Sequence, residues 1–342
     1  MTNYQLSINR RTLLGIGAIA LGSGLLTACS NGKEKTEDGL DRVEYTTDWY
    51  AQAEHGGFYQ AVATGIYREH GLDATIKMGG PQVNGTQLLM GGVVDFMMGS
   101  GDGAIMAVAE GIPKITVAAI FQKHPRVLIA HPGVGNESLE LLKGKPIFVS
   151  AGPVGYWSFL QAKYGFTEDQ RRPYNFNVSP FLLDKNAVQQ GYFSSEPFTV
   201  QQAGVEPVIF LLADYGYNPY ATTIDTQIEL VEKKPELVQR FVDGSIKGWY
   251  SYLENPAPGN ELIKKDYPQM TDKLLAYGFT KMKEYGMVDS GDAKTLGIGA
   301  MTEERWQSFF DIMVEAGLLK PDTNYKKAYT LEFVNKGVKY YL

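Results

Sequence analysis

The sequence is poor in the features that define several large protein classes. It has one cysteine, Cys29, in 342 residues, so no disulfide can form within the chain and no group of thiols can bind a metal. Lys and Arg number 32 against 38 Asp and Glu, and the formal net charge is −6. No basic excess is present for binding nucleic acid. No apolar run reaches the roughly 20 residues that a membrane-spanning helix needs. We therefore expect a body stabilised by its apolar core.

The single cysteine stands in an informative place. Arg10 and Arg11 precede an apolar run over residues 13–26, and Leu26-Thr27-Ala28-Cys29 follows. This order is typical of a secretory signal peptide, and its ending resembles the bacterial lipobox, in which the cysteine is lipidated. We predict a signal peptide with a lipobox over residues 1–29. The protein is then exported to the periplasm or the cell surface and held at a membrane by the lipid on Cys29. The arginine pair fits both the Sec and the twin-arginine route.

The pattern after the cysteine predicts a tether and two lobes. Residues 30–42 are polar except for Leu40, which is typical of a flexible segment. From Val43 onward, strand-like and helix-like segments alternate, with one helix expected over residues 56–70. Such alternation predicts an α/β architecture with mostly parallel sheets flanked by helices. We predict that lobe 1 comprises residues 43–126 and 215–342, that lobe 2 comprises residues 127–214, and that a ligand cleft lies between them.

Four loops should line that cleft, because ligands of open α/β sheets bind beyond the carboxyl ends of strands. The loops cover residues 48–57, 99–103, 150–157 and 191–197, the last expected to follow a short strand, and segment 214–217 crosses back to lobe 1. They offer aromatic rings for stacking, polar tips for hydrogen bonds and glycines for close approach. Helix capping and core packing are the structural alternatives for the same side chains. The predicted ligand-binding residues are Trp49, Tyr50, His55, Ser100, Asp102, Tyr156, Glu196 and Tyr217.

Several of these motifs occur in the order found in one family of solute-binding proteins. Asp48-Trp49-Tyr50 is followed by His55-Gly56-Gly57-Phe58-Tyr59 and by Gly65-Ile66-Tyr67, and residues 99–102, 110–113 and 191–197 continue the pattern. The sequence resembles the family of sulfonate-, nitrate- and taurine-binding proteins and thiamine-pyrimidine-precursor proteins, and it is closest to the last branch. The resemblance implies a two-lobe periplasmic-binding fold of the second type. Such a protein closes on a small molecule and delivers it to an ABC importer.

The resemblance and the loop residues together suggest a ligand. We expect a small nitrogen heterocycle such as a thiamine pyrimidine precursor, with Trp49 and Tyr156 stacking on it. Asp102 and Glu196 would form hydrogen bonds with it, and His55 would orient it. An oxyanion such as a sulfonate or nitrate stays open as an alternative, although the third loop has little hydroxyl character. A pyrimidine synthase that uses pyridoxal phosphate is a second alternative, disfavoured because relatives of that kind are rich in cysteine.

The remaining motifs give no sign of catalysis. The four histidines have no metal-ligand spacing, and no nucleophile elbow, phosphate-binding loop or zinc-protease motif occurs. We therefore predict a binding protein that has no enzymatic activity and needs neither a metal nor a cofactor. Its expected partners are a small-molecule ligand and an ABC permease in the cytoplasmic membrane. It is expected to be a monomer that touches the membrane through its lipid anchor alone and does not bind nucleic acid.

Overall fold

A computed structural model describes residues 35–150 and 155–342. The predictions for Cys29 and the signal peptide, for residues 30–34 of the tether and for residues 151–154 of the third loop lie outside these residues. The first strand begins at Asp41, two residues before the predicted start of the folded body. Its Asp41 carboxylate pairs with Arg240 at 2.6 Å, and residues 36–40 form a hydrogen-bonded turn just before it.

The first sheet has five strands in the order β2-β1-β3-β10-β4. Strands β1 and β2 are parallel, as are β1 and β3, whereas β10 is antiparallel to both β3 and β4. Four of the five strands therefore run in one direction. The strands are β1 (Asp41–Thr46), β2 (Leu72–Lys77), β3 (Phe96–Ser100), β4 (Lys114–Phe121) and β10 (Ala221–Gln227).

The second sheet repeats this plan in the order β7-β6-β8-β5-β9. Strand β5 is the antiparallel one here, and β6 is parallel to both β7 and β8. Its strands are β5 (Arg126–Ala130), β6 (Ile147–Val149), β7 (Arg171–Pro173), β8 (Val188–Tyr192) and β9 (Val208–Leu211). The predicted two-lobe α/β fold with mostly parallel sheets is confirmed.

Helices cover the faces of both sheets, since connections between parallel strands of one sheet return along its faces. Among the described residues, no helix is both long and apolar enough to cross a membrane. The helices are α1 (Gly56–Ala63), α2 (Ile66–Glu69), α3 (Gly85–Met90), α4 (Gly101–Ala109), α5 (Gly155–Tyr164), α6 (Ser179–Leu183), α7 (Glu196–Gln202), α8 (Ile228–Lys233), α9 (Pro235–Glu254), α10 (Ala257–Asp266), α11 (Asp272–Glu284), α12 (Ala293–Leu296), α13 (Glu303–Glu315) and α14 (Val338–Tyr341).

The predicted single helix over residues 56–70 is wrong, because it divides into α1 and α2. Gly65 separates them with a φ of 79°, a left-handed conformation that glycine adopts at little cost. The loop that leads into α1 keeps its predicted place directly after β1, so its polar side chains meet the edge of the sheet.

The chain crosses between the sheets twice. Residues 122–125 join β4 to β5, and residues 212–220 join β9 to β10. The backbone N–H of His124 donates to Asn218 Oδ1 at 2.9 Å, so the two crossings are tied to each other. The antiparallel strand of each sheet is the one that follows a crossing. This arrangement is the geometry of a two-segment hinge.

Candidate ligand-binding site

A small cavity of about 50 Å³ lies where the two lobes meet. The loop after β1 supplies three lining residues, and the second sheet with α7 supplies the other five. Strands β6 and β8 end at this edge, and antiparallel β5 begins there, so topology alone brings these side chains together. The lining residues are Asp48, Trp49, Gln52, Arg126, Ser150, Gln190, Tyr192 and Glu196.

Aromatic rings from both lobes surround Trp49, one of the lining residues. The ring of Trp49 lies 6.5 Å from that of Tyr174 between centroids, with only 17° between their planes. Phe176 meets Trp49 edge-on at 6.3 Å and has a φ of 70°, which is rare for a bulky residue. Tyr50 stacks on Tyr267 at 4.9 Å. Trp49 and Tyr174 thus present two nearly parallel faces from opposite lobes.

Arg126 is the cation of the cavity. Its guanidinium carbon lies 4.4 Å from the centroid of the Tyr192 ring and 4.9 Å from that of Tyr156. Among the described residues, its Nε is buried without a hydrogen-bond partner. Burial opposes the charge, but Tyr192, Tyr156 and Glu196 nearby leave the pKa of Arg126 raised, so the group is positive. Arg126 is held by aromatic faces and lines the cavity.

Glu196 is the buried acid of the cavity. Its Oε1 accepts from the Tyr174 hydroxyl at 2.8 Å, and its Oε2 accepts from the backbone N–H of Tyr192 at 2.8 Å. Burial raises the pKa of Glu196 even though both hydrogen bonds favour the ionised form. The carboxyl group therefore fixes the position of Tyr174, one of the two aromatic faces, and also lines the cavity.

A second polar cluster lies beside the hinge. The Tyr217 hydroxyl donates to Asp102 Oδ2 at 2.8 Å, while Asp102 Oδ1 is buried and has no partner. The Tyr217 ring lies 5.3 Å from that of His124. Burial lowers the pKa of His124 to about 3, so this histidine is neutral. Tyr156 belongs to the same cluster and donates to Gln190 Oε1, which connects it to the cavity wall.

The predicted site residues therefore separate into three groups. Trp49 and Glu196 line the cavity, and Asp102, Tyr156 and Tyr217 form the cluster behind it. The other three lie in the same loops and are not among the lining residues. His55 is fully buried with its Nε2 at 3.3 Å from Asp48 Oδ1, Tyr50 stacks on Tyr267, and Ser100 caps α4 by accepting from Gly103 N–H at 3.4 Å.

Sequence reasoning missed the residues that the second sheet contributes. Gly191 and Tyr192 were expected in a loop after a short strand, but they belong to strand β8 itself. Arg126 gave one usable signal, because it is the only charged residue at the head of the apolar strand Arg126–Ala130. Gln52 and Tyr174 gave none. Among residues 35–150 and 155–342, no group of His, Asp and Glu side chains is arranged to hold a metal ion.

The fold is that of the periplasmic binding proteins. The alkanesulfonate-binding protein SsuA from Xanthomonas axonopodis pv. citri, solved with bound MOPS, superimposes with a TM-score of 0.61 at 11% identity. The match covers 84% of this chain and 98% of that protein. Residues 52–258, more than half of the chain, match the model of the family described as NMT1/THI5 like. The chain belongs to the NMT1/THI5-like family.

Two curated proteins are similar along most of the chain. The riboflavin-binding protein RibY of Chloroflexus aurantiacus is 26% identical over 310 residues, which cover 87% of each chain. The 4-amino-5-hydroxymethyl-2-methylpyrimidine phosphate synthase of Legionella pneumophila is 23% identical over 251 residues, or 70% of this chain and 78% of that protein. The relatives thus include a binding protein and an enzyme. The name of each refers to a compound that contains a nitrogen heterocycle.

Proposed function

We propose that this protein is an exported solute-binding protein that captures a small, neutral nitrogen heterocycle between its lobes and delivers it to an ABC importer. The observation that carries the proposal is the pair of nearly parallel rings, Trp49, which lines a polar cavity, and Tyr174, which bonds to Glu196 of the same lining. Lipidation of Cys29 and a monomeric state belong to the same proposal, and the sequence pattern before Cys29 supports the first of them.

The separation of the two rings suits a flat ligand. A ring inserted between two others needs a centroid separation of roughly 7–8 Å, twice the contact distance of carbon atoms. Trp49 and Tyr174 are 6.5 Å apart, so a small opening of the lobes would admit one ring. Opening is also required because a cavity of about 50 Å³ does not hold a heterocycle of drug-like size. Lobe motion about residues 122–125 and 212–220 supplies it.

The charges of the cavity favour a neutral ligand over an oxyanion. A sulfonate or nitrate offers only hydrogen-bond acceptors, and Arg126 would bind it well. Asp48 and Glu196 line the same cavity, and their carboxyl oxygens would face the same anion at close range. A neutral heterocycle that carries both donors and acceptors can form hydrogen bonds with Arg126 and also with the carboxyl groups.

The names of the similar proteins support a heterocycle as the ligand and leave two kinds of heterocycle open. The name of RibY supports a flavin, and the name of the Legionella synthase supports an aminopyrimidine like the precursor expected from the sequence. Binding is favoured over synthesis because, among the described residues, the cavity lining includes no lysine, the residue that holds pyridoxal phosphate covalently. His55 is also fully buried and does not line the cavity.

A thermal-shift screen tests the proposal. Any ligand that binds only the native state raises the free energy of unfolding, and with it the melting temperature. At a ligand concentration of 100 times the dissociation constant, the gain in free energy is about 2.7 kcal/mol. The screen compares riboflavin, 4-amino-5-hydroxymethyl-2-methylpyrimidine, methanesulfonate and nitrate. We expect a shift with a ring compound and none with the two anions. A shift with the anions alone would contradict the proposal, and a product formed with pyridoxal phosphate would favour the synthase.

A further inference from the structure

Two residues that line the cavity each carry a buried polar atom without a hydrogen-bond partner among the described residues. One is the donor Nε of Arg126, and the other is the acceptor Oε1 of Gln52. The side chain of Gln52 is only 4% exposed. A buried polar group without a partner costs about 1–3 kcal/mol, so two such groups at one cavity indicate that a ligand completes them.

The two groups approach the ligand from opposite lobes. Gln52 lies in the loop between β1 and α1, and Arg126 begins β5 in the second sheet. Two other polar side chains of the lining, Gln190 and Glu196, are already engaged with the protein. Gln190 Oε1 accepts from the backbone N–H of Ser150 at 3.0 Å, and both oxygens of Glu196 are in hydrogen bonds. Arg126 Nε and Gln52 Oε1 are therefore buried groups at the cavity that remain available to a ligand.

We propose that Arg126 and Gln52 together recognise one edge of the ligand, on which a hydrogen-bond acceptor and an N–H donor are neighbours. Arg126 donates to the acceptor, and the Gln52 carbonyl accepts from the N–H. This inference rests on the proposed function and narrows its ligand class. The carbonyl and N–H of a flavin imide form such an edge, and so do the ring nitrogen and amino group of a 4-aminopyrimidine. Oxyanions lack the donor.

Calorimetric titration of four proteins tests the edge. Wild type, Arg126→Met, Arg126→Lys and Gln52→Met are titrated with riboflavin, 3-methylriboflavin, 4-amino-5-hydroxymethyl-2-methylpyrimidine and methanesulfonate. Arg42→Met and Gln201→Met are matched controls, because Arg42 is exposed and Gln201 bonds to Glu206 on the surface. The melting temperature of each variant shows that it is folded.

We expect Arg126→Met to weaken binding of the ring ligand about tenfold or more, since hydrogen bonds from charged groups are the stronger ones. Arg126→Lys should retain part of the affinity. Gln52→Met should also weaken binding of the ring ligand. If that ligand is riboflavin, wild type should bind 3-methylriboflavin much more weakly than riboflavin, because the methyl group removes the donor that Gln52 would meet. Gln52→Met should bind the two compounds with similar affinity.

The outcomes separate this inference from the proposed function. Ring binding that survives both substitutions at wild-type affinity would overturn the inference and leave the proposed function standing. Methanesulfonate binding that is lost in Arg126→Met would overturn the inference, because Arg126 would then serve an anion. Failure of wild type to bind any ring compound would overturn the proposed function together with the inference.

Discussion

At the scale of single residues, the site depends on side chains that are positioned before a ligand arrives. Trp49 is held by Tyr50 and Phe176 through edge contacts at 5.7 and 6.3 Å, and Tyr174 is held by Glu196. Rings fixed in this way lose little conformational freedom on binding, so more of the stacking energy becomes affinity.

Replacement of Trp49 tests the stacking contact. Trp49→Ala should weaken a ring ligand by about 5- to 150-fold, because stacking of a base on an aromatic side chain is worth about 1–3 kcal/mol. Trp49→Phe should fall between this variant and wild type. Isothermal titration measures the effect, with Tyr340→Ala as a control at a ring that is 52% exposed and near the C-terminal end. Unchanged affinity in Trp49→Ala would place the ligand elsewhere.

Glu54 gives a prediction about pH. It is buried, and it accepts a hydrogen bond from the hydroxyl of Ser194, which lies in the second-lobe segment between β8 and α7. Burial raises the pKa of Glu54, although Ser194 and His55 oppose the shift. Folding therefore favours the protonated form of Glu54 relative to the unfolded chain. As pH rises through this raised pKa, the buried carboxyl must ionise, and stability falls relative to acid pH.

Melting temperatures recorded from about pH 5 to pH 8 measure this effect. Glu54→Gln keeps an acceptor oxygen for Ser194 and cannot ionise, so its melting temperature should fall less with rising pH than that of wild type. Some dependence should persist, because the pKa of Glu196 is raised too. Glu315→Gln, at an exposed position, is the control. Parallel curves for wild type and Glu54→Gln would contradict the assignment.

At the scale of elements, the loop before α1 is held in place by close packing of α1 on α9. A Cβ atom on Gly248 would lie 2.3 Å from the carbonyl oxygen of Gly57, and one on Gly57 would lie 2.2 Å from the Trp249 ring. The helices meet this closely only because both positions are glycine. The contact fixes the amino end of α1, and with it the loop that carries Trp49 and Gln52.

Gly248→Ala tests this packing. The added methyl group meets a backbone oxygen that cannot move without displacing α1, so we expect a loss of about 1–3 kcal/mol in the free energy of unfolding. For a chain of this size, the melting temperature should fall by about 2–10 °C. Lys247→Ala, one residue earlier in the same helix, should change it little. Equal melting temperatures for the two variants would show that the helices can separate at no cost.

The elements also show what the sequence could predict. Strands with continuous apolar runs, such as Lys114–Phe121, can be predicted from the sequence, because such runs are buried on both faces. Strand Arg171–Pro173 was missed, since two arginines and a proline carry no apolar pattern. The division of residues 56–70 at Gly65 was also missed, because helical periodicity continues through the break.

The site was harder to predict than the fold for a related reason. Loop residues such as Trp49 and Glu196 could be found because they follow or flank predicted strands. Gln52 has no such signal, and Tyr174 follows the strand that was missed. Arg126 stands at the head of an apolar strand and reaches the cavity only because β5 runs antiparallel. Its role follows from sheet order, which a single sequence does not display.

At the scale of the whole molecule, the proposed function requires that the lobes open and close around the ligand. Their contact is close where Gly155, the first residue of α5, meets Asp102 in the first lobe. A Cβ atom on Gly155 would lie 2.0 Å from Asp102 Oδ2. This contact between the lobes therefore depends on a glycine at position 155. The packing inside each lobe does not depend on it.

Gly155→Ala should hold the lobes apart without unfolding either of them. We expect a larger radius of gyration by small-angle X-ray scattering, together with weaker ligand binding, because the closed state becomes less populated. Replacing Asp102 by Ala in the same chain removes the nearest clash and should restore the smaller radius. An unchanged radius in Gly155→Ala would mean that closure does not depend on this contact.

The most direct test of the central claim is a crystal structure of the protein with the ligand that raises its melting temperature most. Our account predicts one flat, neutral heterocycle between the rings of Trp49 and Tyr174, with an acceptor at Arg126 and an N–H at Gln52. A ligand bound outside this cavity, or a sulfonate or nitrate held by Arg126 within it, would contradict the account.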